Sequence, residues 1–359
     1  MRVVFWLSAA FALAAGLALA ITPIVSRSAG ALRLFDSPDG KRRMHVVPVP
    51  RLGGVAVYLV AAAVATILFL RASPIFVTPG EIGNAQIRVL TGTFIGSGLL
   101  FLVGLVDDLR GLSPTVKSIA QIIAAGIVYW FGLRIGSIAL GYGEGVPVGI
   151  FEIPLLFLWI VGLTNAYNFI DGLNGLAVGI AVVACATIVV VALSLTNLFV
   201  LLPAVALCGA LLGFLPYNFP KARIFLGDSG SLSIGFLLAV LTIQASNNRA
   251  GAVLAFVPIL AVSVPLMDAT LAILRRWLRH VPLSGADARH IHHRLLALGL
   301  SPKRTAVILW TLAAGMAGFG LLIALTAPFV AASIAIWSER ETRRGASRRT
   351  RAPFCVASK

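Results

Sequence analysis

Ten apolar runs dominate this sequence, near 3–26, 53–71, 89–106, 115–132, 153–167, 176–195, 198–215, 230–245, 251–274 and 305–325. A hydrocarbon core about 30 Å thick is crossed by roughly 20 helical residues. Lipid offers the backbone no partner, so spans are helices or closed barrels. Barrel strands would alternate apolar and polar side chains, and these runs do not. The expected fold class is all-α: a polytopic integral membrane protein of about 10–11 transmembrane helices. The eleventh would be the short run 327–337. The charged fraction, 12%, is about half that of a soluble domain. One transmembrane catalytic domain is expected over 1–337, followed by a basic, disordered tail over 338–359.

The N-terminal run, with Arg2 before it and "ALA" after it, imitates a secretory signal. Its apolar stretch is long for one, and basic residues follow it, so a retained first span is the better reading. The net charge of +16 could suggest nucleic acid, but its distribution argues otherwise. Arg27, Arg33, Lys41, Arg42, Arg43 and Arg51 follow span one; Lys221 and Arg223 follow span seven. Arg275, Arg276, Arg279, Arg289, Arg294, Lys303 and Arg304 follow span nine. The opposite loops hold only Arg71, Arg88, Arg134 and Arg249. That bias places the basic loops in the cytoplasm and the N-terminus outside. The external loop 133–153, rich in Gly, is expected to form a short hairpin. Cys185 and Cys208 lie within spans and read as small packing residues.

Every loop on the basic side carries a polar cluster. "DSPDGKRRMHVVPVPRLGG" follows span one, "DDLRGLSP" span three and "NAYNFIDGLNG" span five. "YNFPKARIFLGDSGS" follows span seven and "HIHHRLL" span nine. One polar cleft at the cytoplasmic face, assembled from loops far apart in sequence, is the economical explanation. Asp107 and Asp108 end span three. A helix C-terminus is already partly negative, so a cation there would relieve them. Oxygen-only ligands favour Mg²⁺ or Mn²⁺. Asp228 opens span eight, where an N-cap is the competing role. Asp171 shares a Gly-rich turn, and Asn165 and Asn168 could satisfy a buried turn. His290, His292 and His293 lack zinc-ligand spacing; beside Arg289 and Arg294 they read as donors to an anion. Asp268, near the inner end of span nine, is a site candidate or a partner of Arg275. Metal-binding carboxylates, a cationic loop and a membrane body together point to phosphoryl transfer involving a lipid. A transporter would place its ionisable groups near the midplane, usually within internal repeats; no repeat is evident here.

These motifs, in their order and sidedness from Asp36 to Leu295, resemble the polyprenyl-phosphate N-acetylhexosamine-1-phosphate transferases of glycosyltransferase family 4. The resemblance implies transfer of a sugar-1-phosphate from a UDP-sugar to undecaprenyl phosphate, with Mg²⁺ and release of UMP. It implies a bacterial inner-membrane protein with a cytoplasm-facing site and membrane lipid around it. No nucleic-acid partner is implied, and a homodimer is the protein partner to consider. By resemblance, Asp228 is the main metal ligand, with Asp107 and Asp108 catalytic and near the metal. Lys117 then contacts phosphate. Asn168, Asp171, Asn174, Asn218 and Phe225 line the donor's nucleoside side. His290, His292 and His293 clamp its diphosphate and sugar. "HIHHRLL" resembles the N-acetylglucosamine-1-phosphate branch more than the phospho-N-acetylmuramoyl-pentapeptide branch, which reads "HHH" followed by an acid. Many bacterial relatives read "DGLDG" where this chain has "DGLNG", so Asn174 replaces a second acid.

Overall fold

The computed structural model describes residues 2–32, 35–36, 49–76, 84–138, 146–246, 252–281 and 290–349. The helices in chain order are α1 (Arg2–Ala31), α2 (Gly53–Phe76), α3 (Asn84–Arg110), α4 (Pro114–Trp130), α5 (Glu152–Ile170) and α6 (Leu176–Ser194). They continue with α7 (Leu198–Asn218), α8 (Gly227–Ser246), α9 (Ala252–Ala261), α10 (Ser263–Leu278), α11 (Ile291–Ala297) and α12 (Pro302–Arg349). Eight of them are long and apolar enough to cross a bilayer: α1, α2, α3, α5, α6, α7, α8 and α12. The protein is thus a polytopic helical membrane protein.

The other two apolar runs are helical as well, but not as single long spans. α4 has 17 residues, or about 25 Å. Run 251–274 breaks between α9 and α10 at Val262. Pro265 has no N–H to give the Ala261 carbonyl, so the ladder is interrupted there. The short run 327–337 is no separate span. It continues α12 as one uninterrupted helix of 48 residues, about 72 Å long. The helix includes residues 338–349, where disorder was expected; residues 350–359 lie outside the described set.

α8 sits at the centre, packed against α3, α5 and α2, with α7 enclosed by α1, α2 and α6. Gly209 and Gly213 on α7 allow close approach: an added Cβ at either would collide with the α1 backbone at Phe11 or Ala15. Small residues four apart serve this purpose in lipid, where packing rather than water expulsion drives association. Large apolar side chains such as Leu70, Leu102, Leu158 and Leu325 remain exposed on the periphery, which suits contact with lipid. The hairpin expected over 133–153 is present, with β3 (Ser137–Ile138) antiparallel to β4 (Val146–Pro147); residues 139–145 are outside the described set. On the other face β1 (Phe35–Asp36) pairs with β2 (Val49–Pro50).

Candidate active site

The loops between the spans are joined first by backbone. Phe225 N–H donates to the Pro50 carbonyl at 2.8 Å. Gly53 and Gly54 N–H groups donate to Phe225 and Leu226 carbonyls at 2.9 and 2.7 Å. The start of α2 is thereby zipped to the segment leading into α8. Gly54 lies so close to Gly230 that a Cβ would strike its backbone nitrogen. Gly104 on α3 abuts the Asp228 carbonyl in the same way. These absent side chains let three helix ends converge.

Two carboxylates at the end of α3 take different partners. Asp108 faces the N-terminus of α8. Its Oδ1 accepts from Asp228 N–H at 2.8 Å, and its Oδ2 accepts from Ser229 N–H at 3.0 Å and Ser229 Oγ at 2.7 Å. It caps a helix that it does not belong to, where the dipole favours negative charge. Asp107 Oδ1 accepts from Leu112 N–H, and its Oδ2 lies 3.3 Å from Lys117 Nζ. The same Nζ lies 2.7 Å from Asp228 Oδ2. Lys117 reaches this position from the first turn of α4, which begins with Ser113 as N-cap and Pro114 at N1. The repulsion that called for a cation near Asp107 and Asp108 is relieved here by an ammonium and a helix terminus.

The "NAYNFIDGLNG" stretch separates into supports and cleft wall. Asn165 and Gln121 exchange amide hydrogen bonds of 2.6 and 3.2 Å between α5 and α4. Gln121 sits one helical turn after Lys117, so this pair sets the register of the helix that carries the ammonium. Asn168 Nδ2 donates to Ser231 Oγ at 2.9 Å, and its side chain also reaches Asp228. Asp171 follows α5. Burial, then the charges of Asp228 and Asp108, push its carboxyl well above the usual range, with Arg51 opposing. Asn218 is buried, and its amide is consumed internally. Its Oδ1 accepts from Gly175 N–H at 2.9 Å, and its Nδ2 donates to the Ile224 carbonyl at 3.0 Å. Asn174 Nδ2 lies 3.5 Å from the Pro220 carbonyl. Phe225 serves the site through the backbone bonds above.

The histidine loop closes the opposite wall. Asp268 Oδ2 lies 2.9 Å from His290 Nδ1, and its Oδ1 accepts from Ile291 N–H at 2.8 Å. Among the two roles open to Asp268, the geometry gives the histidine loop. His292 packs beside Gly172, where a Cβ would lie 2.8 Å from its Nε2. It is 1% exposed, and neither ring nitrogen has a partner among the described residues. Burial, reinforced by the charge of His293, pulls its pKa down to about 4. Buried polar atoms are normally paired, so these nitrogens mark a place for a ligand atom or water. The His293 ring lies against His292, tilted by 41° with centroids 4.2 Å apart.

The structure therefore gathers Asp107, Asp108, Lys117, Asn168, Asp171, Asp228, His290, His292 and His293 at one cleft. Asn218 supports that cleft from behind. The three-carboxylate metal set expected from sequence is not assembled: Asp108 is given over to the N-terminus of α8, while Asp107 and Asp228 share Lys117. Among the described residues no group of three or more His, Cys, Asp or Glu is arranged to hold a metal. Asp107 and Asp228 do fit a hard cation. Their carboxyls lie within hydrogen-bonding reach of each other, and Mg²⁺ is commonly held by one or two carboxylates plus substrate phosphates. Sequence reasoning overlooked Gln121 and Ser229. The signal for Gln121 was a lone amide inside an apolar run.

Fold and site define a class: a multi-pass membrane enzyme whose carboxylates, lysine and histidines converge at one membrane face. The glycosyl transferase family 4 model matches residues 90–246. The chain is 35% identical over 320 residues to a probable undecaprenyl-phosphate N-acetylglucosaminyl 1-phosphate transferase of Bacillus subtilis, covering 89% of this chain and 83% of that protein. It is 36% identical over 303 residues to a decaprenyl-phosphate N-acetylglucosaminephosphotransferase of Mycolicibacterium smegmatis, covering 78% and 73%. A phospho-N-acetylmuramoyl-pentapeptide-transferase of Streptococcus pyogenes is 28% identical over 306 residues, covering 80% and 86%. The chain belongs to glycosyl transferase family 4.

Proposed function

We propose that this protein transfers N-acetylglucosamine-1-phosphate from UDP-N-acetylglucosamine to undecaprenyl phosphate, releasing UMP and starting a cell-envelope polysaccharide. The observation that carries the reading is the shared lysine. Lys117 bridges Asp107 and Asp228, and the ring nitrogens of His292 have no partner among the described residues. The family membership and the names of the relatives support the reaction type and the sugar.

A lipid-phosphate oxygen attacks the β-phosphorus of the donor, and the bond from that phosphorus to the oxygen bridging the α-phosphate breaks. Asp228 and Asp107 are the residues that would hold Mg²⁺; when bound, it neutralises charge on the diphosphate. Lys117 places an ammonium beside the same charge. Asp108 holds the α8 N-terminus, so the backbone around Gly227 and Asp228 is rigid where phosphate approaches. Asp171 and Asn168 line the nucleoside side, and the histidine loop faces the diphosphate and sugar.

The basic residues beside the site, Arg51, Lys221 and Arg223, support a cytoplasm-facing cleft in the bacterial inner membrane. The deciding experiment measures UMP release from UDP-N-acetylglucosamine by the purified protein in lipid nanodiscs. Release should require both undecaprenyl phosphate and Mg²⁺. Release without the lipid, or none with all components, would overturn the reading.

A further inference from the structure

We propose that Asp268 is a positioning residue: it sets the tautomer and orientation of His290, and through that ring the arrangement of the histidine loop. Its effect on catalysis rests on the reading of this loop as the donor clamp.

Asp268 lies on α10, the second half of the broken helix, and is 4% exposed. A charge buried this deeply is costly unless paired and hydrogen-bonded. Two of its bonds go to the start of the histidine loop. Oδ2 lies 2.9 Å from His290 Nδ1, and Oδ1 accepts Ile291 N–H at 2.8 Å. An ionised carboxylate only accepts hydrogen bonds. The proton of this contact therefore sits on Nδ1, which leaves Nε2 as the unprotonated, accepting nitrogen. His290 occupies the N-cap position of α11 without a side-chain cap bond of its own. Asp268 supplies the missing acceptor from another helix.

The imidazole is also confined by neighbouring rings. Phe169, at the end of α5, lies 5.6 Å away at 31°. His292 lies 5.9 Å away and is parallel within 3°, and it in turn contacts His293. Rotation of His290 would disturb this row. The carboxylate determines which edge of the ring faces α10, and the stacked rings carry that choice toward Gly172. Carboxylates behind functional histidines act in this way at metal centres, where losing the outer partner costs about 10–100-fold in affinity or activity.

The test uses the full chain in nanodiscs with ¹⁵N-labelled histidine, and His290→Gln to assign the His290 signals. Asp268→Asn keeps an acceptor for Ile291 N–H but presents an amide donor to Nδ1. The expected result is a change of His290 from the Nδ1–H to the Nε2–H form. The donor KM should rise about tenfold or more, with the acceptor KM within about twofold. Adding Asp268→Asn to His290→Gln should cost nothing further, because the first residue acts through the second. An unchanged His290 tautomer, or additive losses in the double variant, would overturn the proposal. Failure of both Asp268→Asn and Asp268→Glu to fold would also overturn it, by making Asp268 a structural anchor only. A tautomer change with unaltered donor KM upholds the positioning of His290 and removes the clamp reading instead.

Discussion

Lys117 Nζ stands 2.7 Å from Asp228 Oδ2 and 3.3 Å from Asp107 Oδ2, so one ammonium from α4 holds together the ends of α3 and α8. Removing it leaves two carboxylates facing each other in a partly buried cleft. Lys117→Met is expected to lower kcat by on the order of 10² or more, the scale of losing one preorganised charge at a reacting phosphate. Thermal unfolding should show a less stable protein without divalent cation, and Mg²⁺ should recover more stability than it adds to the wild type. A variant with turnover within threefold of wild type would remove Lys117 from the reaction.

Asp108 and Asp228 are neighbours through hydrogen bonds but should fail differently. Asp228→Asn is nearly isosteric and removes the charge that a hard cation needs. It should fold and lose nearly all turnover. Asp108→Ala takes three acceptor contacts from the α8 N-terminus, and its primary defect should be stability, about 1–2 kcal/mol by the scale of helix caps. Unfolding in detergent and turnover at saturating Mg²⁺ separate the two. Normal turnover in Asp228→Asn would reduce Asp228 to a structural partner of Lys117.

The Gln121–Asn165 amide pair predicts a defect without a binding signature. Gln121→Leu leaves the Asn165 amide short of a partner, which costs about 1–3 kcal/mol. Since the pair sets where Lys117 stands, kcat should fall while the donor KM stays within about twofold. A donor KM that rises with unchanged kcat would place Asn165 at the donor instead.

His292 gives the protein a pH dependence of known sign. Its pKa falls to about 4 in the fold, against about 6.5 in an unfolded chain. The unfolded state therefore binds more protons between those values. Stability from keeping this ring neutral is complete above about pH 6.5 and is lost as pH falls toward 4, by up to about 1.4 kcal/mol per pH unit. The stability difference between wild type and His292→Gln should narrow over that window as pH falls. A difference independent of pH would show that the ring keeps its ordinary pKa in the fold, as a solvated imidazole does.

The ten apolar runs determined by themselves that the chain is a helical membrane protein, because lipid satisfies no backbone group and each span must do so internally. The polar motifs were equally legible, since charged and amide groups beside a bilayer are costly and stand out against their surroundings. Their assembly was not. Whether Asp108 meets a metal or a helix terminus depends on where α8 begins in space, and that is a matter of packing between α3 and α8. Asn165 and Asn168 lie on the same short stretch, yet one meets Gln121 on α4 and the other Ser231 on α8. Asp268 could have met Arg275 on its own helix; the break at Val262 and the packing of α10 on α5 bring it to His290 instead. Sequence carries the chemistry each side chain can perform. Hydrogen bonds between residues far apart in the chain exist only once the helices have packed, and these contacts decided which residues face the cleft and which hold it in place.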